Sequence, residues 1–276
     1  MPPSLKKIPP APLPPSNQNS SKKITFGTIP AAKGQRIVLY GTGGIGKTTL
    51  ACLAPGPVAM IDADESLSIL RGQLEAIDAP LPHIIQAKDF KETREALKSD
   101  GWDKIKTIVI DTATKLEEWC VAYTCQTVPH EKGHKVSKVE DYGFGKGYNF
   151  VFDTYLPLLA DLDRHVRAGR NVILIAHECT STVPNPMGED WLRYEPRLQS
   201  PKSGQGSIRL KLKEWADHVL FLGYDVAVEK GTGKAQGHGT RTLYCNEKPF
   251  CMAKSRTTSE QFDIELGTNP WPEIIK

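Results

Sequence analysis

The sequence predicts an α/β fold: a mostly parallel sheet with helices on both faces, closing with antiparallel strands near the C-terminus. Three observations carry that expectation. Short apolar runs, RIVLY at 36–40, KTIVIDT at 106–112 and NVILIAHE at 171–178, have the length and β-branched content of strands buried on both faces. Segments with helical spacing lie between them, and this alternation is the pattern of parallel strands joined by crossover helices. A Gly-rich turn, GTGGIGKTT at 41–49, joins the first strand to the first helix.

Each element follows from its residues. Residues 1–24 are rich in Pro, Ser, Asn and Lys with few groups able to build a core, so a disordered or polyproline-like tail is expected there. The folded domain is expected over 25–266, with 267–276 as a C-terminal tail. RIVLY is the first strand and KTTLACLA opens the helix after it. VAMIDAD (58–64) is the second strand, KDFKETREALKSD (88–100) a helix with a charged outer face, and KTIVIDT a strand ending at Asp111. ATKLEEWCVAYTC (113–125) continues as a helix, and the polar, Gly-rich stretch 126–147 reads as a loop. Helical spacing returns over 148–169 and stops at Gly169, with Pro157 expected near the helix start or at a kink. NVILIAHE is another buried strand, after which 179–206 reads as a long polar loop. ADHVLFLGYDVAVEK (216–230) and TRTLYCNEKPFCMAKSR (240–256) read as later strands around the Gly-rich turn 231–239.

Composition narrows the function classes. The 276 residues carry 35 Lys and Arg against 32 Asp and Glu, so contact with nucleic acid must come from local clustering of charge. Six cysteines without a secretory signal point to reduced thiols in a soluble, cytoplasmic protein, and no apolar run reaches the length of a membrane span. Cys120, Cys125, His130 and His134 invite a zinc reading. Their spacing is not that of a zinc motif, and the two cysteines fall on an expected helix, so no metal is assigned to them.

The turn at 41–49 fits G-x-x-x-x-G-K-[ST] without a gap. Backbone N–H groups of Gly41, Thr42, Gly43, Gly44, Ile45 and Gly46 can wrap a polyphosphate ahead of a helix N-terminus, with Lys47 reaching the β- and γ-phosphates. Thr48, followed by Thr49, can place its hydroxyl on Mg²⁺, and Asp111 can hold the same ion from the end of its strand. ATP and Mg²⁺ are therefore the expected ligands. Thr112 follows Asp111 where AAA+ ring ATPases carry a water-activating glutamate, so the base is sought on another strand, at Asp64 or Glu65 in IDADES.

GTGGIGKTT, VAMIDAD, TIVIDT and VILIAHE, in that order, resemble the RecA-like P-loop ATPases, and among them the compact bacteriophage RecA-like proteins that bind single-stranded DNA in recombination and annealing. The likeness spans about residues 34–262. It differs from the ParA and MinD group, whose loop has a lysine where this chain has Thr42. The resemblance implies that the strand-end His177 senses the γ-phosphate and signals to a DNA-binding loop behind it. That loop holds Trp191, Arg193, Tyr194, Arg197, Lys202, Arg209, Lys211 and Lys213, cations for phosphates and rings for bases. AKSR resembles the K-x-R motif of RadA and DnaB relatives, which implies that Lys254 and Arg256 act across a subunit interface. The partners implied are single-stranded DNA, further copies of the chain in a ring or filament, and a single-strand-binding protein, in a viral replication setting. Two alternatives stay open: a P-loop kinase, and a non-catalytic protein whose nucleotide site only holds the fold.

Overall fold

The computed structural model describes residues 34–202, 205–228 and 235–276. The Pro-rich segment 1–24 and residues 231–234 of the Gly-rich turn 231–239 lie outside the described residues. RIVLYG forms β1 (Arg36–Gly41), flanked in parallel by β5 (Asn171–Val183) and β7 (His218–Val228). On the far side of β5 lie β4 (Thr107–Asp111), β2 (Val58–Asp62) and the two-residue edge strand β3 (His83–Ile84), all parallel. Beyond β7 the sheet turns antiparallel through β8 (Ala235–Tyr244) and β9 (Gln261–Asp263). The outer half of β5 leaves the sheet to pair antiparallel with β6 (Trp191–Pro196).

Strand alternation builds two cores. Val38 and Tyr40, Ile108 and Ile110, and Val172 and Leu174 face one side, while Ile37 and Leu39, Val109, and Ile173 and Ile175 face the other. The first side is covered by α3 (Phe90–Lys98), α4 (Ala113–Thr127), α5 (Lys146–Arg167) and α6 (Ile208–Trp215). The second is covered by α1 (Lys47–Cys52), α2 (Leu67–Ala76) and α7 (Trp271–Ile274). Burial on both faces is why these strands read as continuous apolar runs.

Local chemistry sets the helix limits. Asp89 caps α3 by accepting from Glu92 N at 2.8 Å, and Thr112 caps α4 by accepting from Lys115 N at 3.1 Å. The expected loop at 126–147 includes a 3₁₀ turn over Val139–Tyr142, where the Tyr142 hydroxyl donates to Val128 O at 2.6 Å and fastens the segment to the end of α4.

Several expectations need correction. Pro157 lies in the middle of α5, not at its start. It is tolerated because it and Asp153, whose carbonyl loses its helical partner, are both exposed, on a face of the helix open to solvent. The stretch 179–206 is not one long loop. Its first residues continue β5, residues 191–196 form β6, and α6 starts soon after. The last ten residues are not a tail, since Trp271 and Ile274 are fully buried and the Trp271 indole donates to Leu50 O at 2.7 Å. Among the described residues no helix is long and apolar enough to cross a membrane.

Candidate functional site

The chain leaves β1 at the C-terminal edge of the parallel strands, where open α/β sheets carry their sites. Gly44 (φ 75°) and Gly46 (φ 105°) take left-handed conformations that bend the loop back toward α1. A Cβ built on Gly43 or Gly44 meets nothing within 4 Å, so this side of the loop faces open space. That space is a cavity of about 300 Å³, whose lining includes Gly43, Gly44, Gly46, Lys47, Thr48, Asp64, Asp111, His177 and Arg241.

Lys47 is buried, and its Nζ donates to Gly41 O at 2.8 Å and Thr42 O at 2.7 Å. Burial lowers its pKa, against the opposing pull of Asp111, Glu178 and Asp64. Thr48 Oγ1 donates to Asp111 Oδ2 at 2.6 Å. β4 is not the immediate neighbour of β1, because β5 runs between them, yet this bond brings the ends of the two segments together. Burial raises the pKa of Asp111 to about 6, helped by Asp64 and Asp62 and opposed by the Thr48 bond and by Lys47.

These residues fit a magnesium nucleotide. The glycine cradle offers room and backbone donors for phosphates, and a hydroxyl beside a carboxylate is a hard-oxygen pair suited to Mg²⁺.

The three acids of IDADES part company. Asp62 accepts from Leu67 N at 2.9 Å and from Ser66 N at 3.1 Å, fastening the start of α2. Asp64 lines the cavity beside the glycine loop, with Oδ2 3.6 Å from His177 Nε2. Glu65, at φ 53°, turns away and lines a separate cavity of about 710 Å³ with Arg71, Lys88 and Trp119. Of the two expected bases, only Asp64 lines the cavity beside the glycine loop. Burial lowers the pKa of His177, as do Lys47 and Arg197, while Asp64 raises it.

His177 is also the root of the β5–β6 hairpin: its carbonyl accepts from Arg197 N at 2.8 Å, and its own N–H donates to Thr114 Oγ1 at 3.1 Å. The expected DNA-contacting residues lie on this hairpin and on α6, not on a free loop. Trp191 and Tyr194 are 37% and 39% exposed, and Tyr194 stacks on Phe221 at 5.3 Å. The cations divide into two groups. Arg193 and Arg209 both bond Glu195, which is buried and needs positive partners, and Arg193 and Lys213 share the exposed Glu247. Arg197 and Lys202 are exposed and Lys211 is half-buried, and among the described residues these three form no ion pair.

Lys254 and Arg256 are not brought to this cavity. Lys254 pairs with Val219 on β7, and its Nζ donates to Lys213 O at 2.9 Å and Ala216 O at 2.7 Å, closing the C-terminus of α6. Arg256 lies 3.4 Å from Asp217, which also binds the backbone N of Arg36 at the start of β1, the sheet end opposite the phosphate loop. Cys120 is buried with Sγ toward Val151 O, while His130 and His134 stack on each other at 4.0 Å. Among the described residues, no group of three or more His, Cys, Asp or Glu comes together as a metal site.

Sequence reasoning missed Arg241. It sits on β8, about two hundred residues from the loop it touches, and TRTLY carries no local mark of that contact.

The AAA domain family matches residues 33–257 of this chain. A search of curated proteins finds no match. Among solved structures, a KaiC-like protein from Pyrococcus horikoshii OT3 is similar over 85% of this chain and 87% of its own, at 15% identity and a TM-score of 0.45. The flagellar accessory protein FlaH from Methanocaldococcus jannaschii is similar over 77% of each chain, at 12% identity and a TM-score of 0.38.

Proposed function

Because the chain belongs to the AAA domain family and carries the P-loop of a nucleotide-binding ATPase, we propose that it hydrolyses ATP with Mg²⁺ and uses the nucleotide state to control binding of single-stranded DNA, in recombination or annealing. Backbone N–H groups of the glycine loop and Lys47 bind the phosphates. Thr48 and Asp111 would hold Mg²⁺, which when bound neutralises charge on the phosphate oxygens. Asp64 orients the attacking water and takes its proton. Lys254 and Arg256 act on a neighbouring copy in a ring or filament, with Arg256 the freer of the two.

One observation carries the coupling. Asp64 and His177 meet in the phosphate cavity at 3.6 Å, and His177 is bonded through its backbone to Arg197, the last link of the hairpin that bears Trp191 and Tyr194. A change at the γ-phosphate position that moves His177 therefore moves the root of the hairpin. Exposed rings beside unpaired cations suit a flexible strand with stackable bases and regular negative charge.

The test is ATP hydrolysis with and without a single-stranded oligonucleotide at two salt concentrations, alongside anisotropy of the labelled strand. Salt-sensitive binding with stimulated turnover is expected, and His177→Ala should retain DNA binding while losing the stimulation. Absence of oligonucleotide binding with ATP, ADP and no nucleotide alike would refute the DNA reading.

A further inference from the structure

We propose that Arg241 holds the nucleoside end of the bound nucleotide by contacting its α-phosphate, an inference that rests on the reading of the cavity as a nucleotide site. The cavity is polarised. Lys47, Asp64 and His177 mark one end, the β/γ end by the chemistry of the lysine. Arg241 marks the other, where the cavity passes into a shallow groove shared by Gly46, Thr49 and Gln73 but not by Asp64 or His177.

The guanidinium is held for such a contact. Its Nη1 donates to Ile45 O at 2.8 Å and its Nε to Ile264 O at 3.2 Å, while Ile264 N donates back to Arg241 O at 2.7 Å. The two acceptors of the side chain are neutral carbonyls, and they engage two of its five N–H groups. Among the described residues Arg241 forms no ion pair, although it is half-buried. A positive charge placed against a phosphate loop without a carboxylate partner is matched to an anion arriving from outside the chain. The missing side chain of Gly46 makes room for it, since a Cβ there would lie 2.7 Å from Nη1. Across the cavity, Ile69 and Leu70 of α2 give an apolar wall for a planar base, with Ile69 85% exposed.

Because ATP and ADP share the α-phosphate, the two should suffer equally when Arg241 is changed. Affinity for each is measured by calorimetry in wild type, Arg241→Gln and Arg241→Lys, together with KM, kcat and the urea midpoint without nucleotide. Arg241→Gln should weaken ATP and ADP by the same factor, about tenfold or more. The loss should fall on KM rather than kcat, and Arg241→Lys, which keeps the charge, should recover part of it. A loss confined to ATP, a fall in kcat with affinity kept, or unchanged affinity in both variants would overturn the assignment. If wild type binds neither ATP nor ADP, or binds both undiminished after Lys47→Ala, it is the nucleotide reading of the cavity that fails.

Discussion

At the scale of one residue, Asp111 is a buried carboxylate whose charge works against the stability of its own fold. Burial raises its pKa from an ordinary 3.8 to about 6, so the folded chain binds this proton more tightly than the unfolded chain does. Its contribution to stability is therefore fully present below pH 3.8 and is lost as the pH climbs through about 6. At pH 7.5 without metal, Asp111→Asn should raise the unfolding free energy by about 1–3 kcal/mol in urea titrations. The same substitution should abolish Mg²⁺-dependent nucleotide binding. In wild type that binding should weaken as pH falls through about 6, because a proton then competes for the carboxylate. Asp64 and Glu65 are adjacent in sequence but face different cavities. Asp64→Asn is expected to cut turnover by about a hundredfold or more with ATP affinity retained. Glu65→Gln should leave steady-state turnover within about twofold, and the opposite ranking would return the base to Glu65.

At the scale of the element, the β5–β6 hairpin decides which charges are available. Arg193 and Arg209 are committed to Glu195, whereas Arg197 and Lys202 reach water without a partner among the described residues. Replacing Arg197 or Lys202 by Ala should each reduce the slope of log K against log salt for a single-stranded oligonucleotide by about 0.7. Arg209→Ala should chiefly lower stability, by leaving Glu195 short of a buried partner, and a slope change as large as that of Arg197→Ala would contradict this division. The elements legible in the sequence are those buried on two sides: β1, β4 and the inner half of β5 form unbroken apolar runs, and α3 and α4 bring their own caps. The hairpin was not legible for the converse reason. ECTSTV and WLRYEP are polar or mixed, packed over less of their surface, and paired by backbone bonds that leave no apolar period. Arg241 and Lys254 were illegible in another way, since their partners Ile45 and Ala216 are set by the antiparallel end of the sheet and not by neighbouring residues.

At the scale of the whole molecule, the second core ties the C-terminal residues to the phosphate loop. Trp271 is fully buried and bonds Leu50 on α1, the helix that begins at Lys47. Trp271→Ala is expected to cost about 3–5 kcal/mol in urea unfolding, from lost apolar area and a cavity under α1. A loss below about 1 kcal/mol would restore the picture of a dispensable tail. The central placement of β1 has a further consequence for how the protein comes into being. Ile37 pairs with Ile173 on one side and His218 on the other, so the strand that launches the phosphate loop is made first and framed last. Such distant pairings delay folding, because the intervening chain must be closed before they contribute. A nascent chain emerging from the ribosome therefore carries GTGGIGKTT on a strand that lacks one of its two flanks until β7 has followed it out.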